Sequence, residues 1–313
     1  MSAPGLIPPL SIAENERDPS GFAHALGATF ARYGFAVISQ HGIAPELIAA
    51  AFERTRRFFA LPEPVKRRYH VPGGGGQRGY TPFGVETAKG AARADLKEFW
   101  HIGRRLPPGH RFHALMPPNL HVAEIPDFDA VAYRLFEALD ALGLRILRAI
   151  ARYLGLDPAY FDARVGEGNS ILRLLHYPPV PPGVEGVRAG AHEDINVITL
   201  LLGAEEAGLQ LLDRDGRWRD VDPPPDCVVV NIGDMLQRLT NHVLPSTTHR
   251  VVNPGPARAG FSRYSMPFFQ HFAPDVLIET LPGCIAPDRP NRYPTPITAD
   301  AYLRERLAEI KLI

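Results

Sequence analysis

From Ser170 to Gln270 the chain reads as short apolar runs: ILRLLHYPP, NVITLLL, GLQLLD, RWRDVDPPP, CVVVNIGDML, HRVVNP and GFSRYSMPFFQ. Proline, glycine or aspartate cuts off each one. Runs this short suit strands, and turn residues at such spacing fold successive strands back on one another. The pattern predicts an antiparallel sandwich or barrel. A parallel sheet would need helical crossovers that have no room here.

Upstream the texture is helical. Apolar residues at 131, 135, 138, 139, 142, 146, 149, 150 and 153 form one stripe from Phe128 to about Leu154, which predicts a long scaffold helix for the sheet to pack on. Asp18 or Ser20 can cap an earlier helix running to about Tyr33, followed by a short buried strand in YGFAVISQHGI. A second helix starts near Pro45, carries Leu47, Ile48, Ala51, Phe52, Phe58 and Phe59 on one face, and stops at LPEP. The tail from Pro294 predicts a terminal helix capped by Thr298 or Asp300, whose amphipathic face could cover the barrel, a substrate mouth or a second subunit, the barrel being the simplest. The expected class is α+β with a mainly β core. Residues 1–125 form a helix-and-strand region wrapped around a 126–313 core, in one compact unit. Gly74, Gly76 and Gly79 in VPGGGGQRGYTPFG match the dinucleotide spacing G-x-G-x-x-G, but no strand precedes them and no helix follows. A mobile loop is the better reading.

Charge and composition narrow the function. Thirty-four basic and thirty-four acidic residues cancel, so no field draws in nucleic acid or an anionic membrane. No apolar run reaches the roughly 18 residues of a membrane helix, and the opening residues lack the pattern of a secretory leader, which points to the cytoplasm. Cys227 and Cys284 have no metal-ligand spacing and read as structural thiols.

RAGAHEDINVITLLL sets His192, Glu193 and Asp194 at the head of an otherwise buried strand. Side chains alternate along a strand, so His192 and Asp194 share the interior face. A carboxylate inside an apolar barrel is costly unless a cation or hydrogen bonds compensate it. A divalent metal ion would satisfy both groups, with His249, at the head of HRVVN, as the candidate third ligand. Two histidines and one carboxylate leave coordination positions open, as in non-haem Fe(II) oxygenases. The helical H-E-x-x-H pattern of zinc hydrolases is absent. The alternative is an ordinary hydrogen-bonded His–Asp pair with His249 at the surface.

Further on, Arg263 and Ser265 in RYSMPFF alternate onto one face, a guanidinium fork beside a hydroxyl that suits a carboxylate. Tyr177 in RLLHYPP offers one more donor.

Taken together, AHEDINVITLLL, GDMLQRLTNHVLPSTTHRVV, RYSMPFF and HYPP, preceded by YGFAVISQHGI and RGYTPFGVETAKG, resemble the isopenicillin N synthase-like branch of the Fe(II)- and 2-oxoglutarate-dependent oxygenases, over residues 5 to 275. The resemblance implies a double-stranded β-helix, or jelly roll, with flanking helices. It implies that His192, Asp194 and His249 hold Fe(II) and that Arg263, Ser265 and Tyr177 bind 2-oxoglutarate. With O2 as second co-substrate, the expected reaction is hydroxylation of a small organic molecule with release of succinate and CO2. By family position Arg78, Tyr80, Phe83, Phe268 and Phe269 would meet the substrate, with Arg78 suited to an acidic one. Two departures stand out: Leu175 where many relatives have asparagine, and His242 where glycine is common. An Fe(II) oxidase of the same fold that uses no 2-oxoglutarate, or a catalytically silent metal- and ligand-binding protein, remains open.

Overall fold

The computed structural model describes residues 6–87, 94–180, 186–202, 208–255 and 259–309. Residues 88–93 of the loop motif and 310–313 of the tail therefore lie outside the described residues.

The first half runs β1 (Pro9–Ser11), α1 (Glu14–Arg17), α2 (Pro19–Tyr33), β2 (Phe35–Ser39), α3 (Pro45–Phe59), α4 (Glu63–Arg67), β3 (Gly79–Thr81) and β4 (Glu98–Gly103). Then come α5 (Phe128–Tyr153), α6 (Asp162–Gly166), β5 (Ile171–Tyr177), β6 (Ala189–His192), β7 (Ile198–Leu202), β8 (Leu209–Leu212) and β9 (Trp218–Asp220). The chain continues through β10 (Val228–Ile232), α7 (Asp234–Leu239), β11 (His249–Val251), β12 (Arg263–Gln270), β13 (Leu277–Ile278), β14 (Ile297–Thr298) and α8 (Ala299–Glu309).

The helix limits follow local chemistry. Asp18 accepts the Gly21 N–H at 2.9 Å to start α2, and Gly34, at φ +67°, ends it in the left-handed conformation. A Cβ at Gly34 would collide with Thr247, so this stop also sets how closely β2 approaches the chain before β11. In α5, Leu135, Leu139, Leu142, Ile146 and Ile150 fall at helical spacing and are fully buried, the scaffold stripe expected from the pattern.

Eight strands form one sheet in the order β1-β2-β10-β7-β12-β5-β4-β3, and four form a second, β6-β11-β8-β9. All pairings in these two sheets are antiparallel except β1 with β2. This is a jelly roll. The N-terminal region does more than wrap the core, because β1 to β4 supply half of the larger sheet.

Alternation gives the larger sheet two different faces. On β12, Met266 and Phe268 join the core shared with α2, α3 and α5, while Arg263, Ser265, Pro267 and Phe269 point toward the smaller sheet. The structure corrects two expectations. AHEDINVITLLL is not one strand: β6 ends at His192 in the smaller sheet, and β7 begins at Ile198 in the larger. The crossing between sheets is held by Asn196, whose amide donates to the Ile198 carbonyl at 3.2 Å and the Thr199 hydroxyl at 2.8 Å. The glycine-rich segment is loop as far as Arg78 and then becomes edge strand β3, paired with β4. As expected, α8 packs Tyr302 and Leu303 against the helix-side core, and it also places Leu303, Arg306 and Leu307 in the wall of a cavity. No helix among the described residues is long and apolar enough to cross a membrane.

Candidate active site

His249 pairs directly opposite His192 in the register of β11 with β6, so two imidazoles face each other across one rung, ring centroids 4.4 Å apart. Asp194 lies two residues past the end of β6, in the crossing between the sheets. Its Oδ1 is 3.7 Å from His192 Nε2 and 3.8 Å from His249 Nε2, and the three potential ligand atoms lie within 4.8 Å of one another.

The surroundings orient each ligand. His192 Nδ1–H donates to the Gly190 carbonyl at 2.7 Å and His249 Nδ1–H to the Thr247 carbonyl at 3.0 Å, a tautomer that leaves both Nε2 lone pairs for the centre. Asp194 Oδ2 accepts from the Thr199 hydroxyl at 2.5 Å and the Asn231 amide at 2.8 Å, which leaves Oδ1 free to turn inward. Burial, reinforced by His249, pushes the His192 pKa down to about 4, so the ring is neutral near pH 7. Burial alone would raise the Asp194 pKa, yet His249, His192 and the two hydrogen bonds hold it below the ordinary value. Two imidazoles and one carboxylate, each fixed from behind, fit a divalent metal ion.

A cavity of about 450 Å³ has His192 and Asp194 in its wall, and a smaller one of about 70 Å³ is lined by both and by His249, Tyr177, Arg263 and Ser265. Arg263 stands opposite Tyr177 in the β12–β5 register, donates to the Ser265 hydroxyl at 3.3 Å and lies 5.1 Å from the Tyr177 ring centre. Burial pulls its pKa down, which marks a guanidinium removed from bulk water. Leu175 faces Ser265 across the same pair of strands and presents a hydrocarbon surface to the smaller cavity.

Four of the five residues expected to meet substrate sit elsewhere. Phe268 is fully buried on the helix side of β12, edge-on to Phe136 at 5.1 Å, because it is one residue out of phase with Phe269. Tyr80 is buried against Phe58, and its hydroxyl donates to Glu98 on that same face. Arg78 is 4 % exposed and donates to the carbonyls of Pro117 at 3.0 Å and Gln77 at 2.7 Å, stacked on Gly103 and outside the cavity wall. Phe83 is exposed and lies apart from both cavities. Phe269 lines both cavities, and so does Arg173, whose guanidinium lies 5.2 Å from the Phe269 ring centre. His242 is held by Tyr293 at 2.6 Å, away from the site.

Sequence reasoning missed a buried ionic network beside the triad. Arg173 reaches Glu86 with both terminal nitrogens, at 3.2 and 3.0 Å, and its Nε donates to His101 at 2.7 Å. Lys97 binds Glu86 at 2.6 Å and Asp95 at 2.8 Å. Against the penalty of burial, Arg173 and Lys97 hold the Glu86 carboxyl far below the ordinary range. One signal was present: in ILRLLHY, Arg173 falls four residues before Tyr177 and so on its face.

Comparison with known proteins supports the same site. Residues 7–124 match the family model described as non-haem dioxygenase in morphine synthesis N-terminal, and residues 168–272 match the 2OG-Fe(II) oxygenase superfamily. The chain is 33% identical to the 2-oxoglutarate-Fe(II) type oxidoreductase hxnY of Emericella nidulans, covering 87% of this chain and 79% of the relative. It is 34% identical to the proline hydroxylase buaE of Petromyces alliaceus, covering 92% and 93%. Among solved structures, a 2OG-Fe(II) oxygenase family protein from Caulobacter crescentus superposes with TM-score 0.91 at 56% identity over 98% of this chain and 99% of the other. A full-length Neurospora crassa protein, solved in complex with alpha-KG and thymine, superposes with TM-score 0.86 at 32% identity over 98% of each chain.

Proposed function

Because the chain belongs to the 2-oxoglutarate- and Fe(II)-dependent oxygenase superfamily and is a dioxygenase of that kind, we propose that His192, Asp194 and His249 hold its iron and that Arg263, Ser265 and Tyr177 hold the distal carboxylate of 2-oxoglutarate. The observation that carries this reading is the orientation of the triad: both Nδ1–H groups and Asp194 Oδ2 are spent on the protein, and the three remaining ligand atoms converge. When bound, the iron supplies oxidative decarboxylation of 2-oxoglutarate and oxygen transfer to a C–H bond, with succinate and CO2 as products.

The residues of this chain do the positioning. Thr199 and Asn231 fix the carboxylate plane of Asp194, and the carbonyls of Gly190 and Thr247 fix the two imidazoles. Arg263, with Ser265 beside it, supplies a buried cation in the wall of the smaller cavity, which the triad also lines, and so suits the far carboxylate of a diacid. Leu175 and Phe269 add apolar surface to that wall. The larger cavity takes a small organic substrate, a reading supported by the thymine in the Neurospora crassa structure. Names such as the 2-oxoglutarate-dependent dioxygenase htyE of Aspergillus rugulosus, 33% identical over 91% of this chain, favour the co-substrate-dependent reading over the two alternatives left open above.

Anaerobic titration of metal-free protein with Fe(II) and then 2-oxoglutarate tests the assignment. A weak visible charge-transfer band is expected in the wild type, with none in Asp194→Ala. A band of full strength in that variant would remove Asp194 from the ligand set.

A further inference from the structure

Among the described residues, the wall of the larger cavity is charged, and acids outnumber its cations. Among the described residues lining it, Lys97 is bound to Glu86 and Asp95, Arg173 to Glu86, and Arg306 to Glu305 at 2.9 Å and Glu309 at 2.6 Å. Glu193 and Asp234 add further carboxyl groups to the same wall. At Lys97 and Arg173 a substrate carboxylate would have to displace a largely buried protein carboxylate, and elsewhere it would lie beside the Glu193 and Asp234 carboxyl groups; either is costly.

What the wall does offer is hydrogen bonding without net charge. Arg173 spends three of its five N–H groups on His101 and Glu86. Gln77 uses its carbonyl oxygen to accept a long bond from Asn169, at 3.4 Å, which leaves its NH2 group available. His271 is 6 % exposed, forms no ring hydrogen bond among the described residues, and is kept neutral by burial, so it presents one donor and one acceptor. Phe269, Ile171, Leu303 and Leu307 make up the apolar part of the wall. Buried donors and acceptors of this kind discriminate strongly against a ligand that leaves them unpaired.

We propose that the substrate is an uncharged cyclic amide or imide, a ring bearing adjacent C=O and N–H groups, held by Gln77, Arg173 and His271 against Phe269, and that carboxylic acids are disfavoured by the paired state of Lys97 and Arg173 and by the surplus of carboxyl groups around them. This rests on the active-site assignment made above.

The test uses the anaerobic Fe(II)–2-oxoglutarate complex of the full chain, with the visible band as readout. The probes are uracil and 2-piperidone, with pipecolate and benzoate as carboxylates of similar size. At least one of the two amides is expected to shift the band saturably, while neither acid does so at ten times that concentration. Gln77→Leu should weaken the amide response about tenfold, the loss of one hydrogen bond, and leave the 2-oxoglutarate titration unchanged. Glu86→Gln, which leaves cationic charge unmatched, should gain a response to an acid. A band that responds to the acids and not to the amides overturns the proposal, and so does a band that responds to neither. If no band forms on adding 2-oxoglutarate, the site assignment itself has failed.

Discussion

The larger sheet buries a histidine–carboxylate cluster on each face, and the two are built to opposite ends. On the helix side, Glu98 is bound by Lys66 at 2.7 Å, by His176 at 2.7 Å and by the Tyr80 hydroxyl, and the second nitrogen of His176 reaches the Ser262 hydroxyl at 3.0 Å. That cluster closes on itself. On the inner side, His192, Asp194 and His249 turn their satisfied atoms outward and their open atoms toward one another. Buried charge is thus no sign of function in itself; what separates the two clusters is whether the protein completes the hydrogen bonding or leaves it to a ligand.

Asp194→Ala puts that contrast at greatest risk. Succinate production should fall to background while far-UV circular dichroism stays that of the wild type, because the open cluster contributes to chemistry rather than to the fold. Glu98→Gln is the converse: it leaves Lys66 with only the exposed Glu63, at 3.3 Å, as its charge partner and should cost about 3 kcal/mol of stability, with 2-oxoglutarate binding unchanged for the folded fraction. The same pair has a pH signature. Burial works against Glu98, but His176 and Lys66 hold its pKa below the ordinary value, so its contribution is complete above the unfolded carboxylate range and is lost as pH falls through the depressed folded pKa. Thermal melts of wild type and Glu98→Gln should therefore converge in acid; a constant gap from neutral pH downward would contradict this.

Phe268 and Phe269 carry the same contrast into a single strand. Phe268→Ala empties a site in the helix-side core and should lose about 3 kcal/mol of stability with little change in KM. Phe269→Ala should raise the substrate KM and disturb the melting temperature less. The smallest expected effect is Arg263→Ala, about 2 kcal/mol or roughly thirtyfold in 2-oxoglutarate affinity, measured by the anaerobic titration with iron binding retained.

Legibility followed sequence distance. His192 and Asp194 are two residues apart, and Arg263 and Ser265 likewise, so residue chemistry at short spacing sufficed to single them out, although strand period holds only for the second pair. His249 stood out by heading its own strand. The network of Glu86, Lys97, His101 and Arg173 joins residues up to 87 positions apart through β4 and β5, and no local pattern pairs them. Phe268 was misplaced although alternation was enough to exclude it: it lies five residues past Arg263 and so on the opposite face, whereas Phe269, six residues past, shares the face of Arg263 and Ser265.

The antiparallel β core, the long α5 stripe and the ligand types were all readable along the chain, because period, turn residues and side-chain chemistry are local properties. Folding in three dimensions added that Asp194 lies in a crossing between sheets, that α8 reaches the mouth of the cavity, and that every cation in the cavity wall among the described residues already has its acid. These depend on which distant strands become neighbours, and strand pairing is set by the packing of the whole sheet.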